Sequence, residues 1–162
     1  MIRKKLNKEQ ALQKLRHYCR YQERCQSEVK NKLFQLGINK GEHDEIITGL
    51  IKENFLNEER FAAAFATGRF KMKHWGRKKI QFELKEKRVN NEAIEKGLEQ
   101  INEEDYMQTL RKLAKEKYAS LKHEQYLIRK KKTMDYLMQK GYEAELIKTF
   151  LEKISDSSNF GK

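Results

Sequence analysis

Three segments of this chain lie in one register: EVKNKLFQLGI (28–38), KKIQFELKEKRV (78–89) and KKTMDYLMQKGY (131–142). Leu33, Leu84 and Leu137 align. Four residues before them stand Val29, Ile80 and Thr133, and four after them Gly37, Arg88 and Gly141. Ile38, Val89 and Tyr142 come next. Each copy then resumes a helical pattern after a short polar turn, with apolar pairs Ile46/Leu50, Ile94/Leu98 and Ile147/Leu151. The leucines are 51 and 53 residues apart, a tandem repeat of about fifty residues, which constrains the fold more than any single motif. A unit of that size buries a small core, and units in tandem share surfaces. The alternative is one irregular helical bundle in which the register is accidental.

The type of element follows from what is missing. The 162 residues include no proline, the strongest helix breaker. Leu, Lys, Glu, Gln and Arg dominate, and β-branched residues never alternate over a long run. The expected fold is all-α, as three tandem three-helix modules over residues 1–53, 54–101 and 102–154. The first helices are expected at Lys8–Tyr21, Asn57–Lys73 and Glu103–Leu121. The second are expected at Ser27–Leu36, Arg77–Lys87 and Glu124–Lys140, and the third at His43–Glu53, Asn91–Ile101 and Glu143–Ile154. Gly37 and Gly141 stand where a helix end favours a left-handed residue, and Asn57 and Asn90 are candidate N-caps. The polar segment 155–162 is expected to fray as a flexible tail.

Residues 55–89 hold five of the eight Phe and the only Trp. Phe61, Phe65, Met72 and Trp75, with Gly68 between, advance by four, three, four and three, which predicts one buried seam on a helix. Phe70 falls almost opposite, with Ala63 and Ala66. The expected core is Leu33, Phe61, Phe65, Trp75, Ile80, Leu84 and Leu137.

The net charge is +12. An excess of that size points to polyanions, phosphate backbones above all. The excess is +5, +4 and +3 over residues 1–53, 54–101 and 102–162. The densest cluster is Arg69, Lys71, Lys73, Arg77, Lys78, Lys79, Lys85, Lys87 and Arg88, opposed only by Glu83 and Glu86. Arg129, Lys130, Lys131 and Lys132 form another, and Arg3, Lys4 and Lys5 a third. The first two are the candidate binding surface.

Catalytic patterns are lacking. The stretch GINKGEH lacks the length and the Lys-Ser/Thr ending of a P-loop, and no nucleophile elbow occurs. His17, His43, His74 and His123 are isolated, so no metal site and no cofactor are expected. Glu58/Glu59 and Glu103/Glu104/Asp105 stand at helix starts, where they complement the dipole. Cys19 and Cys25 lack metal spacing and fit free thiols in a reducing cytoplasm. Met1 to Lys8 is basic without a following apolar stretch, and no run is long enough to span a bilayer. The expectation is a cytoplasmic binding protein, monomeric and not an enzyme.

The stretch NFLNEERFAAAFATGRFKMKHWGRKKIQFELKEKRV resembles the central signature of the RecX family of RecA regulators. The matching positions are Phe55, Leu56, Asn57, Glu58, Arg60, Phe61, Ala62, Arg69, Gly76, Ile80, Glu83, Leu84 and Lys87. YCRYQERCQSEVKNKLFQLG resembles the family's opening. Arg88 departs from the family's usual Gly, so that turn must close without one, and Asn57 replaces Asp. The resemblance implies tandem three-helix modules in an elongated, curved array. It implies a partner, the RecA filament, with single-stranded DNA met directly or through that filament. The implied effect is modulation, usually inhibition, of RecA ATPase, strand exchange and coprotease activity. Two other readings of the residues stay open. One is a helix-turn-helix-like protein acting on duplex DNA, although no helix carries a run of base-reading side chains. The other is a helical adaptor without nucleic acid.

Overall fold

The computed structural model describes residues 6–160, and side chains over residues 6–154. Its elements are α1 (Lys8–Tyr21), α2 (Gln26–Gln35), α3 (Lys40–Lys52), α4 (Glu58–Lys73), α5 (Arg77–Glu86), α6 (Asn91–Glu99), α7 (Glu103–Ser120), α8 (Tyr126–Gln139) and α9 (Ala144–Phe160). No strand occurs among the described residues. No helix among them is long and apolar enough to cross a membrane. No group of three His, Cys, Asp or Glu side chains among them is placed to hold a metal ion. α9 runs to Phe160, through residues expected to fray, and residues 161 and 162 lie outside the described residues.

The repeat is visible in backbone hydrogen bonds. Gly37, Arg88 and Gly141 have φ values of 75°, 62° and 101°. Each donates its N–H to the carbonyl three residues back: Phe34, Lys85 and Met138. The next residue then reaches back to the aligned leucine. Ile38 donates to the Leu33 carbonyl, Val89 to that of Leu84, and Tyr142 to that of Leu137, all at 3.1 Å. This is a Schellman closure, made once at the same position in each copy. Leu33, Leu84 and Leu137 are fully buried, as are Val29, Ile80 and Thr133. The middle copy makes the closure with an arginine in the left-handed region.

The modules also begin alike. Asn7, Asn57 and Asn102 precede α1, α4 and α7, and each side chain accepts from the N–H three residues on, in Gln10, Arg60 and Asp105. Asn57 is one of the two caps expected from the sequence, and Asn90, the other, caps α6 through the Ala93 N–H at 2.8 Å. Asn7 adds the reciprocal bond from its own N–H to the Gln10 side chain.

Compactness divides the chain differently from the repeat. One unit comprises Met1–Phe65 and Glu83–Gly97, the other Ala66–Phe82 and Leu98–Lys162. The helices of the middle module therefore contribute to both. In the first unit, Ala11, Leu15 and Cys19 of α1 share a core with Val29 and Leu33 of α2 and Ile46, Ile47 and Leu50 of α3. In the second, an aromatic series crosses the core. The Phe70 and Tyr106 ring centroids are 5.7 Å apart, and those of Tyr106 and Tyr142 are 5.1 Å apart.

The expected seam of α4 is corrected by the structure. Phe61 is buried, but so are Ala62, Ala66 and Phe70, whereas Phe65 and Trp75 are only half-buried and Met72 is 84% exposed. Close approach selects the small residues. A Cβ on Gly97 would lie 2.8 Å from the Ala62 carbonyl, so a large side chain at position 62 has no room. Counting large aromatics favoured the neighbouring face. Gly68, placed in that seam, has open space around it.

Candidate nucleic-acid interface

In the second unit the candidate cations gather around Trp75. α4 ends at Lys73, and His74, at φ 57°, turns the chain so that the indole comes back beside the helix it has just left. The Lys79 ammonium is 4.6 Å from the ring centroid, and the Lys73 ammonium and Arg69 guanidinium are each 5.5 Å from it. Cations over an indole face are held by its quadrupole. Lys71, Lys73 and Lys78 are exposed, while Arg69 and Lys79 are half-buried. Lys71 and Lys78 make no ion pair among the described residues.

Arg77 has a different role. Its guanidinium lies 3.8 Å from the Tyr106 ring centroid and binds Glu143 at 2.8 Å and also Glu103. Its backbone N–H donates to the Tyr106 hydroxyl, which in turn donates to Glu143. Burial, then the Glu143 carboxylate that accepts its proton, pushes the Tyr106 phenol far up. Arg77 thus ties the start of α5 to α7 and the start of α9, and its charge is met inside the fold. Arg129 is likewise structural: its Nε donates to the Tyr118 carbonyl at 2.7 Å, and the guanidinium stacks 3.6 Å from the Tyr118 centroid. Of its neighbours on α8, Lys130 is also half-buried, and Lys131 and Lys132 are exposed. Lys131 pairs with Asp135 at 3.0 Å, Lys132 with Glu124 at 2.5 Å, and the Lys130 ammonium is 5.9 Å from the Tyr126 centroid. Exposed pairs such as Lys131–Asp135 contribute little, so a phosphate can compete for these lysines.

The remaining candidates lie in the first unit. Lys85 and Arg88 are exposed, with no ion pair among the described residues. Lys87 is half-buried, 3.4 Å from Glu28, and its carbonyl accepts from Ser27 at 2.7 Å. Charge density along the chain thus groups surface cations with three residues, Arg77, Lys87 and Arg129, whose charges are already engaged. The two candidate clusters also leave out the first module, where Tyr18, Tyr21 and Arg24 line a groove of about 750 Å³. The sequence signal for that groove is HYCRYQER, which interleaves aromatics with arginines.

Two family models match this chain: RecX, second three-helix domain, over residues 57–98, and RecX, third three-helix domain, over residues 103–151. The chain is 29% identical over 143 residues to the regulatory protein RecX of Oceanobacillus iheyensis, covering 88% of this chain and 53% of that protein. It is 27% identical over 137 residues to the regulatory protein RecX of Clostridium perfringens strain 13, covering 83% and 63%. The chain spans about half the length of the first of these relatives and less than two thirds of the second. The crystal structure of RecX from Lactobacillus salivarius superposes with a TM-score of 0.81 at 23% identity, over 91% of this chain and 96% of that one. A second crystal structure, of a regulatory protein RecX, gives 0.80 at 19% identity, over 94% and 82%.

Proposed function

This chain belongs to the RecX family, and from that premise we propose that it is a non-catalytic regulator of RecA. In this reading it binds RecA filaments formed on single-stranded DNA and lowers their ATPase, strand-exchange and coprotease activity. The observation that carries the polyanion part is the set of exposed cations without carboxylate partners among the described residues. These are Lys71 and Lys78 in one unit, and Lys85 and Arg88 in the other. Cations left unpaired in a protein that has paired Arg77, Arg16 and Arg60 internally suit an external phosphate array.

The physical route to inhibition is population shift. A regulator biases a filament only as far as it binds one subunit arrangement better than another. Tandem modules that each bind weakly gain from linkage, because the second engagement forms at high effective concentration.

The test is the DNA-dependent ATPase of RecA with and without the full chain, together with the chain alone. The expected result is a lower RecA rate and no turnover by the chain itself. An unchanged RecA rate at saturating chain overturns the reading. A chain that binds one duplex sequence in preference to others, and leaves RecA untouched, would instead be a direct reader of duplex DNA.

A further inference from the structure

We propose that the groove of the first module is a binding site for single-stranded nucleic acid, with Tyr21 as the stacking platform for one base and Lys14 and Lys32 as the phosphate ligands. It lies apart in sequence from the two candidate clusters, residues 69–88 and 129–132. It rests on the family reading only for DNA as the natural polymer.

The groove lies along α1 and α2. Its central feature is an arginine beside two tyrosines. The Arg24 guanidinium sits 3.7 Å from the Tyr18 ring centroid and 5.9 Å from that of Tyr21. Arg24 is fixed there because its Nε donates to the Tyr18 carbonyl at 3.1 Å. Tyr18 is half-buried against the core of the first unit, so that ring is anchored. Tyr21 is 78% exposed. A large aromatic held next to a fixed arginine and left open to water is how sequence-tolerant proteins stack unpaired bases.

The charged side chains that line the groove have one sign. Lys14, His17, Arg24 and Lys32 line the groove, and among the described residues no carboxylate does. The Lys32 ammonium is 5.5 Å from the Tyr18 centroid. Glu28, the nearest acidic residue of α2 in this region, accepts from the Cys25 N–H and pairs with Lys87. An acidic peptide would match the charge but would leave the open ring unused. A duplex would match the charge but offers no unstacked base. Single-stranded nucleic acid uses both.

The experiment uses the full chain without RecA. Fluorescence anisotropy with fluorescein-labelled oligothymidylate measures affinity across salt, and photo-cross-linking with a 5-iodouracil-substituted oligonucleotide locates the base. The wild-type cross-link is expected on the peptide containing Tyr21. Tyr21→Ala should weaken binding roughly 5- to 150-fold, the usual range for one stacked base, while Tyr21→Trp keeps it. Lys14→Glu with Lys32→Glu should flatten the salt slope by about 0.7 for each phosphate no longer neutralised. Cross-links confined to residues 69–88 or 129–132 would overturn the site, as would unchanged affinity in Tyr21→Ala. If Tyr21→Ala binds oligonucleotide normally but binds RecA filaments poorly, the groove is a protein-binding surface and the proposal is wrong. A chain that inhibits RecA without cross-linking at Tyr21 sinks this site and leaves the family reading standing.

Discussion

A Cβ built on Gly76 would lie 2.3 Å from the carbonyl carbon of Gly141. The two backbones touch directly: the Gly76 N–H donates to the Lys140 carbonyl at 2.8 Å, and the Lys78 N–H to the Gly141 carbonyl at 2.9 Å. Tyr142 adds a bond from its hydroxyl to the His74 carbonyl at 2.8 Å. The turn before α5 and the turn after α8 therefore cross backbone to backbone, inside one compact unit. Gly76→Ala should destabilise the chain by about 3 kcal/mol, at the top of the overpacking range, because backbone atoms cannot swing aside as a flexible side chain would. Urea unfolding followed by circular dichroism checks this.

Arg88 makes with an L side chain the turn that Gly37 and Gly141 make with glycine. Its φ of 62° carries the steric cost of the left-handed region, and its exposed side chain gains no burial in return. Arg88→Gly is expected to stabilise the fold by about 1 kcal/mol. Gly37→Ala should move stability the other way by a similar amount. A drop in the unfolding midpoint of Arg88→Gly would mean that the arginine makes a stabilising interaction elsewhere.

Cys19 and Cys25 are both buried and free. Burial pushes the Cys19 thiol up from about 9.0 to about 11, and pushes Cys25 up as well. At pH 8 both should resist iodoacetamide until the chain unfolds, which mass spectrometry reads directly. The linkage has a definite sign. The folded state holds the Cys19 proton more tightly than the unfolded state, so this contribution to stability is complete below about pH 9 and is lost as pH rises toward 11.

Lys71 and Lys78 are exposed, so Lys71→Glu with Lys78→Glu should leave thermal stability nearly unchanged. The same pair of changes should flatten the salt dependence of DNA or filament binding, because fewer neutralised phosphates release fewer counterions. Equal slopes for the double variant and wild type would place the footprint away from Lys71 and Lys78.

Residues 54–101 contain a whole repeat but no compact unit. Phe61, Leu84, Ala93 and Ile94 belong with residues 1–65, whereas Ala66, Phe70 and Ile80 belong with residues 98–162. The isolated fragment is expected to unfold without a cooperative transition. A sharp melt of that fragment would contradict the division.

The repeat was legible in the sequence because it is written in local terms. Leu33, Leu84 and Leu137 followed by a left-handed position and an apolar residue describe one helix end, and a helix end is decided by neighbours within six residues. The absence of proline and the helical spacing of apolar residues likewise act over a turn or two, so the helices and their approximate bounds followed. Tertiary structure decided which face of α4 is buried, since that depends on Gly97 approaching Ala62, two residues far apart in sequence. It decided that Arg77 closes a network with Glu143 and Tyr106 while Lys78, its neighbour, stays in solvent. It also decided that the Arg24 guanidinium lies 3.7 Å from the Tyr18 ring centroid and 5.9 Å from that of Tyr21. Charge and aromaticity can be counted along a chain, but whether a charge is free is a matter of distance to groups that only folding brings near.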